Sequence, residues 1–422
     1  MSNRGEPFAT SRWATCLGQQ PQIRASSTAT RNPLSPSPKQ DTDVTAAGSP
    51  GALPSPHADL VRAAVLAPSP DNNQPWRFAA QADRLLVYLD PSRALPSDVH
   101  SMFDLIGLGA AIENACIAAR QAGLQPQVDL PAAPSPPDEA AAGPRLAATI
   151  TLQPGGRPDP LFDCLAHRCT CRKPFSTRPV ADRSLQAMAD AAAEFPEVRL
   201  DWIVDRKAIR SLAWLIAASD RIRFEYEPFH NELCRQLRFS VEEAEQTRDG
   251  LDLRTLELPP GAGLLLRFLR PWRRMKWVHR LGLGRLLTLP SAMAVLKSGA
   301  VGVLSVPQPT FEQFLRGGRA MERTWLSAQA EGLSLQPLGS LPIFFAHAQL
   351  LGGQKLSPRH TQRIRTLIER FGQLLPAIRD RVLLLLFRLG YSAPPRFRSL
   401  RREAESVFDP GEQGPHEKGK TT

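Results

Sequence analysis

The apolar and polar positions of the chain follow two different periods, which predicts a mixture of helices and strands. Residues 1–55 are rich in Pro, Ser and Gln and show neither period, which is typical of a disordered tail. Helical spacing follows at 57–67, strand-like alternation at 84–90, and helical spacing again at 101–124. The apolar segment 145–154 predicts a strand that completes a first unit.

A second unit repeats the same order of elements. It opens with a loop at 167–180 and continues with a helix at 182–195, a strand at 198–205, helices through 206–248, a strand at 298–306, a helix that ends at Gly332, an amphipathic helix at 359–376 and a buried strand at Val382–Phe387. We therefore expect an α+β fold with two related halves, 56–155 and 156–408, that form an intramolecular pseudo-dimer. Residues 409–422 read as a second disordered tail.

One basic and apolar segment, residues 263–287, has two interpretations. It could lie on a membrane surface, or it could form a lid over a ligand pocket, spanning about 250–295, which is the interpretation favoured here. The apolar run 286–306 contains Pro290 and Lys297, so it is read as a short helix and a buried strand and not as a membrane span. Stable membrane insertion is not expected.

The charge balance of the 422-residue chain narrows the choice of partners. A formal net charge of +11 favours an anionic partner, which could be a nucleic acid, an anionic membrane surface or a phosphorylated cofactor. A high arginine content without any specific anion is the alternative. Six cysteines are too few for a disulfide scaffold, and the first 40 residues contain no apolar signal core, so we expect a cytoplasmic protein with reduced thiols.

The first candidate for chemistry is the loop "APSPDNNQPWRF" at 67–78, a dense run of turn-forming residues. Pro68 and Pro70 restrict the backbone, Ser69 and Asn72 offer hydrogen bonds, and Trp76 can anchor the loop in the core. The loop is either a rigid turn or one wall of a site for a flat, polar ligand.

Two arginine pairs are the next candidates. Arg168 and Arg172 flank Thr170 in "RCTCRKPF", and Arg396 and Arg398 are two apart in "YSAPPRFRSLRR", a spacing that places both on one side of an extended segment. Guanidinium pairs can bind a phosphate bidentately, although a solvated basic loop and a basic tail are the alternatives. Cys169 and Cys171 beside His167 would allow a metal site, but no second pair at zinc spacing supports one, and no metal is expected.

These motifs resemble those of the nitroreductase superfamily. The loop is similar to its APS-x-x-N-x-QPW signature, and "RCTCRKPF" is similar to its R-x-[ST]-x-[RK] motif. The order is inverted relative to ordinary nitroreductases, since the loop precedes the arginine motif by nearly 100 residues. That inversion, the helix "FLRGGRAMERTWLSAQAEGL" and the ending "LFRLGYSAPP" resemble the Acg-like FMN-binding oxidoreductases, in which one chain mimics a dimer.

The resemblance implies FMN as cofactor and assigns the residues that bind it. They are Pro68, Ser69, Pro70, Asn72, Gln74, Arg168, Thr170, Arg172, Glu331, Gly332, Arg396 and Arg398. Glu331 and Gly332 match the segment whose backbone approaches the flavin's reactive nitrogen, and the arginine pairs match the phosphate ligands. The chain departs from the family at Cys169 and Cys171, which replace Arg and Asn, and at Asp71, where His is common and where an inward-facing carboxylate would lower the flavin potential.

The resulting hypothesis is a monomeric or weakly dimeric FMN-dependent oxidoreductase. Hydride would pass from NADH or NADPH through the flavin to a nitroaromatic, a quinone or a similar acceptor, and no protein residue is assigned as catalytic because the flavin carries the chemistry. The alternative is a flavin-binding or storage protein with a closed lid. A basic nucleic-acid binder is a weaker possibility, and no nucleic-acid partner is expected because the sequence contains neither a recognition helix nor an aromatic platform.

Overall fold

The computed structural model describes residues 56–131, 143–354 and 356–411. Residues 1–55 and 412–422, where the sequence predicts tails, lie outside this described part. Within it there are thirteen α-helices: α1 (Pro56–Ala64), α2 (Met102–Gln121), α3 (Phe162–Leu165), α4 (Asp182–Ala193), α5 (Arg206–Glu225), α6 (Glu227–Gln236), α7 (Val241–Thr247), α8 (Ala262–Leu269), α9 (Trp272–Arg280), α10 (Leu289–Leu296), α11 (Phe311–Ala330), α12 (Ser340–Leu351) and α13 (Pro358–Leu374).

The same residues contain eleven β-strands: β1 (Trp76–Gln81), β2 (Arg84–Leu89), β3 (Leu124–Asp129), β4 (Arg145–Pro154), β5 (Arg199–Ile203), β6 (Leu237–Arg238), β7 (Leu251–Asp252), β8 (Ala300–Val306), β9 (Ser334–Pro337), β10 (Val382–Gly390) and β11 (Phe408–Asp409). Helices and strands are thus interspersed along the chain, and the α+β class that the sequence predicts is confirmed.

The strands form two main sheets, one from each predicted half. The first sheet has the order β11-β1-β2-β4-β3, with antiparallel pairs except for the parallel pair of β1 and β11. The second is antiparallel throughout and has the order β5-β8-β10-β9. Every residue of β8 and β10 is buried, because helices cover both faces of this sheet. That double burial explains why Val382–Phe387 is a continuous apolar run and not an alternating one.

The last described strand crosses between the predicted halves. Phe408 pairs with Phe78 and Asp409 with Ala79, so β11 belongs to the first sheet although it follows the strands of the second. The predicted boundary between the second half and the C-terminal tail, after residue 408, therefore falls inside a strand that is hydrogen-bonded to the first sheet. Residues 391–407 connect β10 of the second sheet to this edge of the first.

Helices α2 and α11 cross at two glycines, which allow their backbones to touch. A Cβ placed on Gly109 would lie 2.1 Å from the carbonyl oxygen of Leu315, and one placed on Gly318 would lie 2.1 Å from that of Ile106. The contact is reciprocal, as in an isologous interface between equivalent elements. The prediction of two related halves is supported by this symmetry but stays a prediction.

Two apolar segments raise the question of membrane crossing. The segment Val99–Gln121, which contains α2, is long and apolar enough to cross a membrane by length and composition, but 94% of its most apolar 18-residue window is buried inside the protein, so it reads as a core helix. Residues 286–306 form α10 and β8, which confirms their interpretation as a helix and a buried strand.

Candidate functional site

A cavity of about 590 Å³ lies between the loop that precedes β1, the start of α2, the arginine motif at 168–172, α11 and the segment 398–401. Eight of the residues predicted from the sequence line it: Pro68, Ser69, Pro70, Asn72, Arg168, Thr170, Arg172 and Arg398. The volume is within the usual range for small-molecule and cofactor sites, about 300–1,000 Å³. Gln74, Glu331, Gly332 and Arg396 are not in the lining. The assignment of all twelve residues to a cofactor stays a prediction.

The loop 68–74 has an unusual backbone. Asp71, Asn72 and Gln74 adopt left-handed conformations, with φ of 44°, 59° and 53°. Asp and Asn tolerate this region better than most residues, whereas a glutamine there is strained. Such strain persists only where surrounding contacts impose it, and here Ser69 Oγ accepts a hydrogen bond of 2.9 Å from the Gln74 N–H.

A glycine on α2 lets this loop approach the helix. A Cβ on Gly107 would lie 3.3 Å from the Pro68 carbonyl oxygen and 3.3 Å from two carbon atoms of Ser69. A side chain at this position would therefore require the loop to move away from α2 by at least a few tenths of an ångström. The glycine-rich pattern within α2 thus has a packing explanation on both of its faces.

Gln74 is a structural residue of the loop and does not face the cavity. Its side chain is fully buried, donates to the Arg248 carbonyl oxygen at 2.8 Å and accepts from the Arg402 N–H at 2.8 Å. Asn72 makes similar bonds, from Nδ2 to the carbonyl oxygens of Gly250 and Leu400, both at 3.1 Å. These two amides fasten three distant parts of the chain together around the cavity.

Arg168 is held in place by a buried carboxylate. Its Nε lies 3.0 Å from Oε1 of Glu322, and the two side chains are 2% and 0% exposed. The guanidinium also lies 4.8 Å from the ring centroid of Trp325. Burial raises the pKa of Glu322 above its ordinary value, and the charge of Arg168 opposes that rise.

Arg401 is a cavity residue that the motif analysis missed. Its guanidinium donates to Asn72 Oδ1 at 2.9 Å and to the Ala67 carbonyl oxygen at 3.1 Å, with no carboxylate within ion-pairing distance in the described part of the chain. Burial, followed by the charge of Arg168, lowers its pKa to about 9. Arg401 is the last but one residue of the quoted motif "YSAPPRFRSLRR", from which the sequence analysis assigned only Arg396 and Arg398.

Arg396 and Arg398, the pair of that motif that the sequence predicts as a clamp, lie in different surroundings. Arg398 lines the cavity and donates to the Arg168 carbonyl oxygen at 2.6 Å, whereas Arg396 is exposed and its backbone N–H donates to Glu257. The predicted two-residue spacing fails as a clamp because residues 391–400 form no strand, so alternate side chains need not share a direction.

An ion pair also lines the cavity. Arg223 and Asp71 form an ion pair of 3.0 Å, and both are 19% exposed. Burial disfavours the charge on Arg223, but Asp71, Glu232 and Asp220 together raise its pKa. Asp71 therefore faces the cavity as part of a neutral pair and not as a lone negative charge.

A pair of carboxyl groups stands at the start of α2. Asp98 lines the cavity and accepts from the backbone N–H groups of Phe103 at 3.0 Å and Asp104 at 2.8 Å. Burial, followed by the nearby charge of Asp104, raises the pKa of Asp98 well above its ordinary value. Burial also raises the pKa of Asp104 to about 7, although Asn73 donates to it at 2.7 Å.

Glu331 and Gly332 end α11 on the surface. Ser184 Oγ donates to Glu331 at 2.6 Å, and Gly332, with φ of +66°, turns the chain towards β9. Neither residue lines the cavity. Two nearby residues do line it: Pro337, which ends β9, and Gly339, which directly precedes α12. These residues belong to the turn "PLGS" at 337–340, which the resemblance to the family did not assign to the site.

The cysteine pair gives no sign of a metal site. Cys169 lines the cavity, while the Cys171 thiol is buried 3.6 Å from Ser392 Oγ. Burial raises the pKa of Cys169, which disfavours its thiolate. Within residues 56–131, 143–354 and 356–411, no group of three or more His, Cys, Asp or Glu residues is arranged to hold an ion.

Comparison with known proteins gives sequence relatives but no matching family model. The chain is 30% identical over 365 residues to the uncharacterized protein MT1398 of Mycobacterium tuberculosis, covering 85% of this chain and 49% of that protein. It is 29% identical over 186 residues to the M. tuberculosis protein Acg, whose name marks it as a proposed NAD(P)H nitroreductase, covering 42% of this chain and 53% of Acg. The chain thus spans about half the length of the curated relatives it matches.

One solved structure that is similar to this chain is a nitroreductase with bound FMN from Desulfitobacterium hafniense. It is 14% identical, and the match covers 57% of this chain and 94% of that one with a TM-score of 0.30, which is too low to establish a shared fold. The similarity to Acg is therefore the comparison that supports the predicted resemblance to the nitroreductase superfamily.

Proposed function

We propose that this chain, whose sequence relationship to Acg supports its place in the nitroreductase superfamily, is an FMN-dependent oxidoreductase. It would take hydride from NADH or NADPH and reduce a nitroaromatic, a quinone or a similar small acceptor. One observation carries the proposal: the loop 68–72, the motif 168–172 and the segment 398–401 are distant in sequence but line one cavity.

The charges of the cavity fit the phosphate of FMN. Arg168, Arg398 and Arg401 stand close together, as their shared backbone and side-chain contacts require, and Glu322 is the buried carboxylate among them. Arg168 is buried, Arg401 is half-buried and Arg398 is exposed, and these three guanidinium groups face one carboxylate. The excess positive charge on the groups withdrawn from water is costly unless an anion compensates it. A phosphate dianion would do so and would receive charge-assisted hydrogen bonds.

The remaining walls fit a flat ring with polar edges. Phe103, Ile106, Met321 and Leu385 supply apolar surface, and the strained loop at 68–72 and the start of α12 at Gly339 supply backbone groups. FMN, when bound, supplies the two-electron redox chemistry. The part of the protein is then to bind the phosphate, orient the ring between these walls and limit the access of water.

The paired state of Asp71 bears on the flavin potential. A lone carboxylate near the ring would disfavour the reduced, anionic flavin, but the ion pair with Arg223 cancels most of its field. We therefore propose that Asp71 positions Arg223 and does not by itself lower the potential.

A second cavity in the chain does not suit FMN, so we propose that each chain binds one cofactor. This cavity, about 490 Å³, is lined by Glu113, Arg120 and Arg319 among other charged residues. Each arginine of its lining faces a carboxylate: Arg120 lies 3.2 Å from Asp159, Arg316 lies 2.8 Å from Glu197 and Arg319 lies 2.8 Å from Glu113. Such a paired network offers no uncompensated charge to a phosphate.

The purified protein tests the proposal directly. We expect a yellow protein with a flavin absorption band that bleaches when NADPH or NADH is mixed in anaerobically and returns when a quinone or nitroaromatic is added. Replacement of Arg398 and Arg401 by Met should abolish the colour and keep the buried pair of Arg168 and Glu322, and circular dichroism checks that the variant is folded. A yellow protein that neither nucleotide reduces would instead support flavin storage, and a folded protein that neither carries nor takes up FMN would overturn the proposal.

A further inference from the structure

Residues 258–297 carry an unusual concentration of exposed apolar side chains. Ten of the fifteen large apolar residues that are exposed in the described part of the chain fall in this segment: Leu258, Leu264, Leu265, Phe268, Trp277, Leu281, Leu283, Leu286, Leu289 and Met293. Leu264 is 75% exposed and Trp277 is 61% exposed. Single exposed apolar residues need no explanation, but a concentration of this kind marks an interaction surface.

The same segment is strongly basic. It contains Arg267, Arg270, Arg273, Arg274, Lys276, Arg280, Arg285 and Lys297, all of them exposed, and no Asp or Glu. None of these eight cations is ion-paired with a carboxylate in the residues that the structure describes. We call residues 258–297 the basic apolar segment. Its positive charge is unneutralised and stands beside apolar surface.

The helices of this segment have distinct inner and outer sides. On α9, Met275 is 2% exposed and His279 Nε2 lies 2.9 Å from the Phe224 carbonyl oxygen, so this side packs on α5. Arg273, Trp277 and Arg280 are exposed on the other side. The neighbouring α8 is bound to α9 by a hydrogen bond of 2.9 Å from Arg274 to the Phe268 carbonyl oxygen. Leu264, Leu265 and Phe268 are exposed on α8.

Most of the predicted lid, about 250–295, does not line the cavity. Between residues 250 and 295, Leu251 and Leu256 are the described residues that line the cavity. The helices α8, α9 and α10 contribute none of the lining, so their exposed side chains are not explained by contact with a ligand in that cavity.

We propose that the basic apolar segment docks the protein on the surface of an anionic lipid bilayer. Arginines would meet lipid phosphates while Trp277 and the exposed leucines enter the boundary between headgroups and acyl chains, as in amphipathic interfacial helices. The attachment is peripheral, because the apolar stretch Leu283–Leu296 is too short to span a bilayer. The inference does not depend on the proposed flavin chemistry.

Charge complementarity selects this occupant. A second copy of the chain would bring the same uncompensated cations to the contact, so a symmetric dimer through this surface would repel itself. Apolar and basic side chains also interleave throughout the segment, and a fluid surface with many phosphates can satisfy all of them without a fixed register. An acidic protein partner is the competing occupant, and the experiment below separates it.

Co-sedimentation of the full chain with vesicles tests the proposal. The vesicles contain phosphatidylcholine with or without about one third phosphatidylglycerol. We expect binding to the anionic vesicles only, and a loss of about tenfold or more for Arg273→Glu/Arg280→Glu and for Trp277→Ser/Leu281→Ser. Arg157→Glu/Arg183→Glu and Leu146→Ser, which change exposed residues elsewhere, should bind like the unmodified chain.

A second measurement reports the depth of contact. Lipids with brominated acyl chains should quench the fluorescence of Trp277, and Trp277→Phe should remove that quenching while binding is kept. Equal affinity for neutral and anionic vesicles would overturn the proposal. So would an absence of binding, quenching that Trp277→Phe leaves unchanged, or a dimer in lipid-free solution that the segment variants convert to a monomer.

Discussion

The side chains of Arg168 and Glu322 form an ion pair that is almost completely withdrawn from water, with Nε of one 3.0 Å from Oε1 of the other. Arg401 adds a second, half-buried cation nearby, and its pKa is lowered by burial and by Arg168. The single carboxylate thus neutralises part of a larger positive charge, and removing it has consequences for both stability and ligand binding.

Glu322→Gln should lower the free energy of unfolding of the flavin-free protein by about 3–5 kcal/mol, because it leaves Arg168 buried without its partner. Urea denaturation measures this loss. Added FMN should restore more stability to the variant than to the unmodified protein, since the phosphate replaces the missing negative charge. Glu312→Gln removes the 53% exposed partner of Arg316 and should cost no more than about 1 kcal/mol. Equal losses in the two variants would contradict this account.

Arg398→Met should weaken FMN binding about 10- to 100-fold, the loss expected for a hydrogen bond to a charged group. Arg396→Met, two residues away but outside the cavity lining, should change it little. Fluorescence titration with FMN and with riboflavin distinguishes phosphate contact from general damage, because riboflavin has no phosphate. If riboflavin binding falls as much as FMN binding, Arg398 does not contact the phosphate.

The stability of the protein should fall as the pH rises from about 4 to about 7. Burial raises the pKa of Asp104 to about 7 from an ordinary value of 3.8, so the folded protein keeps a proton that the unfolded chain releases in this range. The contribution is complete below the lower value and is lost by the upper one, with a total on the order of 2–4 kcal/mol.

Asp104→Asn should flatten this pH dependence of stability, as thermal melts between pH 5 and pH 8 would show. Part of the slope should remain, because the pKa of Asp98 is raised as well. Asp59→Asn changes an exposed carboxylate and should keep the full slope. An unchanged slope in Asp104→Asn would mean that this carboxyl group is already ionised in the folded protein.

Gly318→Ala should destabilise the crossing of α2 and α11 by about 1–3 kcal/mol or more, as overpacking of a rigid contact does. The new methyl group would lie 2.1 Å from a backbone oxygen, which cannot move without shifting α2. Gly143→Ala, with nothing within 4 Å of the added atom, is the matched control. Urea midpoints compare the two, and similar values would show that the helices separate at little cost.

Titration of the flavin-free protein with FMN should end at one equivalent per chain. The second cavity is lined by Arg120, Arg316 and Arg319, which already face carboxylates, so it offers no free positive charge. An end point of two equivalents, measured by quenching of flavin fluorescence, would show that the two cavities are functionally alike.

Much of this architecture could be predicted from sequence because local patterns dictate it. The strand 145–154 coincides with β4, and the apolar run Val382–Phe387 lies in β10. Strand β1 was missed because the turn-rich loop conceals its beginning, although Trp76 was expected to be buried and is fully so. Strand β3 lies in a polar stretch whose burial pattern is irregular.

The cavity shows where local patterns stop being sufficient. The motifs identified Arg168, Arg172 and the loop at 68–72, since each is recognisable within a few residues of sequence. Arg401 and Arg223 reach the cavity through tertiary packing, and neither belongs to a spacing that marks a binding residue. Gln74 sits inside the same recognisable motif but faces Arg248 and Arg402, because membership of a motif does not determine the direction of a side chain.

The path of residues 391–409 has a consequence for biosynthesis. The segment 398–401 leaves the ribosome after every other residue that lines the cavity, and β11 can join β1 only after this segment has emerged. A nascent chain can therefore assemble the second sheet, and the first sheet without β11, while two of the three arginines proposed to bind the phosphate are still missing. On the proposed function, cofactor capture therefore waits until translation has passed Arg401, when the other residues that line the cavity have already been made.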